Sequence, residues 1–586
     1  MDNIRIAIID SGISPLSEVS NNIIDSYVLQ WVNSKYQITK EPYEDYIGHG
    51  TAVANIIWRI NKNIDIICFR ICKEELNIDE SGLLDVLNYI YEKVDVDIIN
   101  ISAGITYLYN YYSLKDICSK LYEKGTIIVS AFDNDGAISF PAALDCVVGI
   151  DIDKDSDDKK EIILVKNGIV NILVADRYYR TEWLHTKTII RGTSFACAYI
   201  CGMLSIQIEN ITKEKNIEIL LENISTKEIS LPKHQAALKP KFSIQKAIVF
   251  PINKESQALL RFKELLGFKI VGAFDERLSG KVGKTLFGET IKSYNDISWQ
   301  DDFDTIILSY VSDLSALTKR NYVEEIISNA KLYGKNIYSF EQINAGNNHL
   351  FFPTLSTNNV PVRNNFKLHK TTIPVVGIFG TSSKQGKFTM QQKIINCLKT
   401  IGYNVGSILT EPSGYLFDAD YIFHFGFRAN FNLQPWECIA ILNEMIWEIQ
   451  LKNKDILITG CQSGSTHYNN SNINDFALYQ HSFILGTLPD IYILCVNPHD
   501  DFDYINKTIS FLNSIDSGKV KAIAVFPMKA IATLSGIGYK TEEINHDEFL
   551  NIKAGLECEF NLPVFSMNDD DINRLCALII DEFSEE

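Results

Sequence analysis

The chain has 586 residues, 46% hydrophobic and 22% charged, with 27 Tyr and 31 Phe; this predicts a folded protein of about three to four domains and excludes disorder as its default state. A formal net charge of −18 excludes broad nucleic-acid binding through phosphate neutralisation, which needs a surplus of Lys and Arg on one face. No apolar run reaches the roughly eighteen residues that cross a bilayer, and the opening MDNIRIAIIDSG lacks the basic and apolar stretches of a secretory leader, so a cytoplasmic protein with no membrane partner is expected.

Short apolar runs alternate with helical patterns from the first residues: IRIAII, IDIICFR, VDIINIS, GTIIVSAF and CVVGIDI. Continuous apolar runs of this kind predict parallel strands covered on both faces, and the carboxyl ends of such strands carry functional groups. Asp10 follows the first run directly. His49 stands between Gly48 and Gly50 in IGHGTAVANII, ahead of a helical pattern, and Gly192 and Thr193 lead into Ser194 at the mouth of an almost wholly apolar stretch. Singly these residues read as a turn former, a hydrogen-bonded His and a helix N-cap. Together they occur as Asp, His and Ser, the chain order of the subtilisin-type triad.

On these residues the resemblance is specific. IDSG, GHGTAVA and GTSFA resemble the three signature motifs of the subtilisin-like serine peptidases, over residues 1–210. The resemblance implies Ser194 as nucleophile, His49 as its base and Asp10 as the group that fixes the imidazole tautomer. It also implies Asn134, in IIVSAFDNDG, as the oxyanion donor, and Ser102, Ala103 and Gly104, after VDIINI, as main-chain partners of an extended peptide. Three departures stand in the motifs: Ala198 and Tyr199 replace the Pro and His that usually follow the Ser, and Ala52 replaces a second His. Because the sequence opens on its first core strand, folding without the propeptide of exported relatives is expected. The twelve Cys, with the isolated spacings Cys68/Cys72 and Cys197/Cys201, lack the second pair or His of a zinc site, and buried reduced thiols are expected.

Residues 211–245 read as a charged connector. From 246 to 365 two strand–helix–strand patterns predict a small Rossmann-like domain. Its GKVGKT, Gly280 to Thr285, is too short between glycines for a phosphate loop and reads as a turn. Residues 366–586 differ. TTIPVVGIFGTSSKQGKFTMQQKIINCLKT is a buried strand, a Gly-bounded loop and an amphipathic helix, the context of a nucleotide phosphate loop, with Gly380, Thr381, Gly386, Lys387 and the displaced hydroxyl of Thr389 as its residues. This loop resembles those of dethiobiotin synthetase-like P-loop proteins, and the region from about 250 resembles a two-part bacterial family with a Rossmann-like first half and a P-loop second half, members of which occur in clostridial peptide-maturation systems. The resemblance implies ATP or GTP with Mg²⁺. No metal ligand set is assigned; Thr459 stands where an acidic residue is expected, and Glu411, Asp418 and Asp420 are the carboxylates available nearby.

The expected molecule is an α/β protein: a subtilisin-like parallel-sheet domain, a Rossmann-like domain and a P-loop domain. Its expected function is cleavage of a ribosomally made precursor peptide, with no cofactor for the protease chemistry and other peptide-maturation proteins as partners. A nucleotide-dependent ligase or kinase with an accessory protease, and an idle scaffold, are the alternatives.

Overall fold

A computed structural model describes residues 3–584 except 73–77, 210–215, 344–348, 427–428, 469–470, 472–475 and 533–538. It divides into two compact units, residues 1–234 with 361–372, and residues 235–360 with 373–586.

In the first unit the strands are β1 (Ile4–Asp10), β2 (Ile23–Val32), β3 (Lys35–Lys40), β4 (Ile64–Arg70), β5 (Ile98–Ile101), β6 (Ile127–Ala131), β7 (Val148–Asp153), β8 (Ile162–Lys166) and β9 (Ile172–Ala175), a separate hairpin β10 (Tyr179–Trp183) and β11 (Thr186–Ile190), and β12 (Lys227–Ser230). The main sheet has the order β12-β8-β9-β7-β6-β5-β1-β4-β2-β3. From β9 through β2 its pairings are parallel, as the continuous apolar runs predict. The helices are α1 (His49–Ile60), α2 (Glu80–Lys93), α3 (Tyr111–Glu123), α4 (Thr193–Glu209) and α5 (Ile217–Ile224). Ile6 and Ile8 of β1, Ile64 and Ile66 of β4 and Val129 of β6 form one core with α1, α4 and α5.

The helix α4 is apolar on nearly every side because it is buried on nearly every side: Ala196, Cys197, Ala198, Ile200, Cys201, Gly202 and Leu204 are all shielded from solvent. Its contact with α1 is close at Gly202, where an added Cβ would lie 2.9 Å from Ile60 Cβ and 3.2 Å from the Ile57 carbonyl oxygen. The departures at Ala198 and Tyr199 sit within this packing. Ala198 is fully buried, and Tyr199 lies against the core with Arg177 over its ring at 3.8 Å.

The expected connector is corrected in part. Residues 210–215 lie outside the described residues, but α5 packs into the first core and β12 pairs in parallel with β8, so this segment completes the first sheet. The boundary expected at 365/366 also moves, since residues 361–372 belong to the first unit.

In the second unit β13 (Lys246–Phe250), β14 (Lys269–Asp275), β15 (Thr285–Leu286), β16 (Glu289–Ser293), β17 (Thr305–Leu308), β18 (Asn336–Ser339) and β19 (Leu350–Phe351) form a sheet of order β15-β16-β14-β13-β17-β18-β19 with α6 (Lys254–Arg261), α7 (Ser312–Thr318) and α8 (Tyr322–Tyr333). GKVGKT is a turn here, with Gly280 and Gly283 at positive φ ahead of β15. A second, parallel sheet holds β20 (Val375–Gly380), β21 (Val405–Leu409), β22 (Tyr421–Ile422), β23 (Ile456–Gly460), β24 (Ile491–Val496), β25 (Lys519–Val525) and, past a hairpin of β26 (Met528–Ala532) and β27 (Tyr539–Glu543), β28 (Val564–Phe565). Its order is β22-β21-β23-β20-β24-β25-β28. The helices of this half are α9 (Lys387–Thr400), α10 (Pro435–Gln450), α11 (Leu478–Thr487), α12 (Phe502–Asn513), α13 (His546–Phe560) and α14 (Asp569–Phe583). Among the described residues no helix is long and apolar enough to cross a membrane.

The α1–α4 contact yields a prediction in which two effects have opposite signs. Helix propensity alone favours Gly202→Ala by about 1 kcal/mol, whereas overpacking costs about 1–3 kcal/mol. The contact dominates, and the urea midpoint of the first unit, followed by a probe placed in it, falls in the variant.

Candidate active site

Three neighbouring parallel strands, β6, β5 and β1, end side by side, and each delivers a residue of the expected site. Asp10 is the last residue of β1. Ser102, Ala103 and Gly104 follow β5, and Asn134 lies three residues past β6. His49 opens α1 and Ser194 is the second residue of α4.

The Asp10 carboxylate meets His49 Nδ1 through both oxygens, at 2.8 and 3.0 Å, and both side chains are buried. This approach depends on glycine. A Cβ on Gly50 would lie 2.1 Å from the Gly12 carbonyl oxygen and 3.1 Å from Asp10 Cβ, and one on Gly48, at φ 100°, would meet the Trp183 indole at 2.6 Å. Trp183 of the β10–β11 hairpin stands edge-on to the imidazole, with centroids 6.2 Å apart, and Phe195 lies 5.2 Å from it.

The sequence reading missed Asp45. One of its oxygens accepts from Ser11 Oγ at 3.0 Å, from Ile47 N at 3.0 Å and from Gly48 N at 2.8 Å; the other accepts from Thr51 N at 3.0 Å and Thr51 Oγ1 at 2.6 Å. Ser11 Oγ in turn accepts from Gly50 N at 2.9 Å. Asp45 and Ser11 therefore satisfy main-chain donors that the first turn of α1 would otherwise leave unpaired. Burial disfavours the His49 imidazolium, but the Asp10 charge, its hydrogen bond and the Asp45 charge outweigh burial and hold His49 above the ordinary histidine value.

Ser194 Oγ donates to the Ser102 carbonyl at 2.7 Å. Among the described residues no hydrogen bond joins it to His49, so Asp10 and His49 are in direct contact while Ser194 is bonded to the adjacent strand end. Asn100 Nδ2 donates to Cys197 Sγ at 3.3 Å and so ties α4 to β5, and within the strand end Ser102 Oγ donates to Asn100 Oδ1 at 2.8 Å. Asn134 Oδ1 accepts from Thr193 N at 3.3 Å and Thr193 Oγ1 at 3.0 Å, which fixes its amide beside the start of α4. Its Nδ2 carries no hydrogen bond among the described residues. Nor do the main-chain groups of Ala103 and Gly104, and a Cβ on Gly104 would strike Ser139 Oγ at 2.6 Å.

In the second unit the loop from Gly380 to Gly386 runs from β20 into α9. Lys387 Nζ donates to the Ser382 carbonyl at 2.6 Å, and Gln385 Oε1 accepts from Ser382 N at 2.9 Å. Burial pulls Lys387 below the ordinary lysine value. Asp500, also missed from sequence, bonds Thr381 Oγ1 and accepts from Gln385 Nε2 at 3.0 Å and Asn497 N at 2.9 Å. Phe388 packs against Phe417 at 5.4 Å, so the position after the lysine is spent on the core. The Thr389 hydroxyl makes no hydrogen bond among the described residues. Of the three carboxylates, Asp418 pairs with Lys399, Asp420 with Lys452 and Ser407 N, and Glu411 lies within the field of Lys254 and Lys387. Thr459 donates to the Ile408 carbonyl at 3.2 Å. Main-chain N–H groups at the start of α9 with a buried lysine beside them fit an anionic phosphate.

A family model described as the Subtilase family matches residues 1–235, and one described as the P-loop domain of DUF1611, a domain of unknown function, matches residues 363–576. The minor extracellular protease Epr of Bacillus subtilis (strain 168) is 27% identical over 238 residues, 37% of this chain and 34% of that protein, so the chain spans about a third of this curated relative. Similar solved structures include a cold adapted subtilisin-like serine proteinase (TM-score 0.31, 18% identity, 37% of this chain and 80% of that one) and a lanthipeptide protease (TM-score 0.31, 15% identity, 37% and 78%). A DUF1611 family protein from Anabaena variabilis matches at TM-score 0.39 and 14% identity, over 57% of this chain and 99% of its own. The chain thus joins a subtilase-family domain over residues 1–235 to a DUF1611 P-loop domain over residues 363–576.

Proposed function

We propose that the first unit is a serine endopeptidase, with Ser194 as nucleophile, His49 as general base and Asp10 as the group that orients the imidazole. The observation that carries this is the buried, two-oxygen contact of Asp10 with His49 Nδ1 beside the start of α4. With Nδ1–H donated to Asp10, Nε2 keeps its lone pair. Ser194 Oγ leaves the Ser102 carbonyl, gives its proton to Nε2 and bonds to the scissile carbonyl carbon. His49 returns that proton to the departing amine as the C–N bond breaks, and water repeats the sequence to free the acid. The Asn134 amide and the Ser194 N–H stabilise the oxyanion. An extended peptide pairs with the open main chain of Ala103 and Gly104.

The substrate is a peptide precursor, cut between leader and core, and the P-loop half recognises it or licenses its cleavage with ATP or GTP at Gly380–Lys387. A bound nucleotide with its Mg²⁺ would supply charge and binding energy there, with Lys387 and the α9 N-terminus on the phosphates and Asp500, bonded to the loop itself, and Glu411 as nearby carboxylates. The precursor reading rests on the likeness of the second half to peptide-maturation components.

Three measurements test these assignments. Ser194→Ala lowers kcat/KM for peptide cleavage by roughly 10⁴-fold or more, and Asn134→Ala lowers kcat by about 10²–10³-fold with little change in KM; cleavage unchanged in Ser194→Ala rejects the peptidase reading. The pH profile carries a sign. His49 must be neutral to accept the proton, so kcat/KM falls as pH drops through its raised value, and Asp45→Asn, by removing one of the charges that raise it, moves this acid limb to lower pH. For the second unit, Lys387→Ala weakens ATP or GTP binding in calorimetric titration by about tenfold or more, the worth of one charged hydrogen bond.

A further inference from the structure

The segment Pro361–Thr372, sequence PVRNNFKLHKTT, belongs by packing to the first unit, although most of it falls within the DUF1611 match. The contacts of Lys367, Leu368 and His369 fall on residues 132–140 and on the neighbouring strand β7. Lys367 Nζ reaches Asp151 Oδ2 at 2.7 Å, the two side chains only 8% and 11% exposed, and lies 5.3 Å from the Phe132 ring centroid. The Leu368 carbonyl accepts from Ile138 N at 2.9 Å, and His369 stacks on Phe140, centroids 6.5 Å apart. Phe132 and Phe140 bracket the loop whose exposed tip is Asn134, and Phe140 bridges to Ile105, next to Gly104. Within the loop Ser139 Oγ accepts from Asp133 N at 2.9 Å. The strap thus grips both ends and the return limb of the segment that presents Asn134, and one wall of the Ala103–Gly104 edge.

We propose that residues 367–369 hold the Asn134 loop in its working position and that Lys367 is a positioning residue for the oxyanion donor. The physical basis is the Lys367–Asp151 pair. Asp151 lies within β7, opposite Leu173 of β9, with its other oxygen accepting from Ile152 N at 2.8 Å, so it is a fixed post, and a shielded ion pair anchored to a sheet is directional and costly to break from one side. Through it the strap pins Phe132, two residues ahead of Asn134, while the Leu368–Ile138 bond pins the far limb. A loop with an exposed tip between two such pins loses less conformational freedom when an oxyanion forms. The subtilase-like domain of residues 1–235 is then incomplete without a piece of chain contributed from beyond the Rossmann-like sheet.

This rests on the peptidase reading, and the test separates the two. In the full-length protein Lys367→Met keeps the aliphatic stem over Phe132 and removes the charge, and Lys367→Met with Asp151→Asn removes both charges in case the single variant fails to fold. Amide exchange of residues 133–139, measured by mass spectrometry, rises about tenfold or more in either variant; unchanged exchange overturns the proposal whatever the activity. Where wild type cleaves peptide and Ser194→Ala does not, either variant lowers kcat about tenfold with KM nearly constant, and the same change made in an Asn134→Ala background lowers kcat less than twofold. Equal losses in both backgrounds mean a structural role unrelated to Asn134 and overturn the proposal, as does full activity in both variants. Recovery of most of kcat in Lys367→Arg supports it.

Discussion

A carboxylate and an imidazole held together out of water, Asp10 against His49, constrain everything around them in the first unit. Removing one partner from such a pair leaves a shielded charge or an unmet donor at a cost of several kcal/mol, so the surroundings must deliver both with little freedom. Asp10 comes from the end of β1, fixed by its parallel neighbours β4 and β5. His49 comes from the first turn of α1, which can approach only because Gly50 has no side chain to meet the Gly12 carbonyl. A helix start pushed this far into a sheet edge has main-chain donors that water cannot serve. Asp45 and Ser11 serve them, and the Asp45 anion placed there also supports positive charge on the ring.

The apolar runs, and the Asp10, His49 and Ser194 motifs among them, made legible in sequence the sheet, the Asp10–His49 contact and the place of Ser194 at a helix start, because those signals are local: a strand end, a Gly-flanked His, a helix mouth. What was illegible depends on distant partners. Asp45 caps α1 from outside it across a turn, without the direct spacing of a capping box. The strand β12, KEIS, is polar at every position but Ile229, as suits a sheet edge, and its composition matches a connector. The strap has neither helical nor strand periodicity; its place is set by contacts on residues spread from Tyr107 to Ile169, and nothing within twelve residues encodes that.

The loop before α9 illustrates a different limit. Its sequence places a lysine at a helix start after a Gly-bounded turn, but not what the turn does with its own polar groups. Here Lys387 turns onto the Ser382 carbonyl, the Gln385 side chain reaches back to Ser382 N, and Asp500 ties Thr381 to the end of β24. An anion entering this loop exchanges those contacts for its own; each is worth about 1–3 kcal/mol net, and a phosphate group facing a helix start and a lysine returns charge-assisted hydrogen bonds of comparable strength. The aromatic Phe388 fills a core shared with the preceding sheet at a position where the commonest pattern places a hydroxyl, which subordinates metal contacts to packing.

Discontinuity gives the first unit an order of assembly. The strands of its sheet lie within residues 1–234, but Asp151, shielded within β7, gains Lys367 only after residues 235–360 have been made. At roughly 5–20 residues per second that delay is on the order of 10 s, long against the time in which strands and helices form. During it an uncompensated carboxylate sits in the sheet behind the Asn134 loop, a position that favours hydration and motion over close packing. The same contact that closes the loop therefore also dates it: the wall beside Gly104 reaches its final form only once the Rossmann-like strands are synthesised and the chain has returned to the first unit ahead of β20.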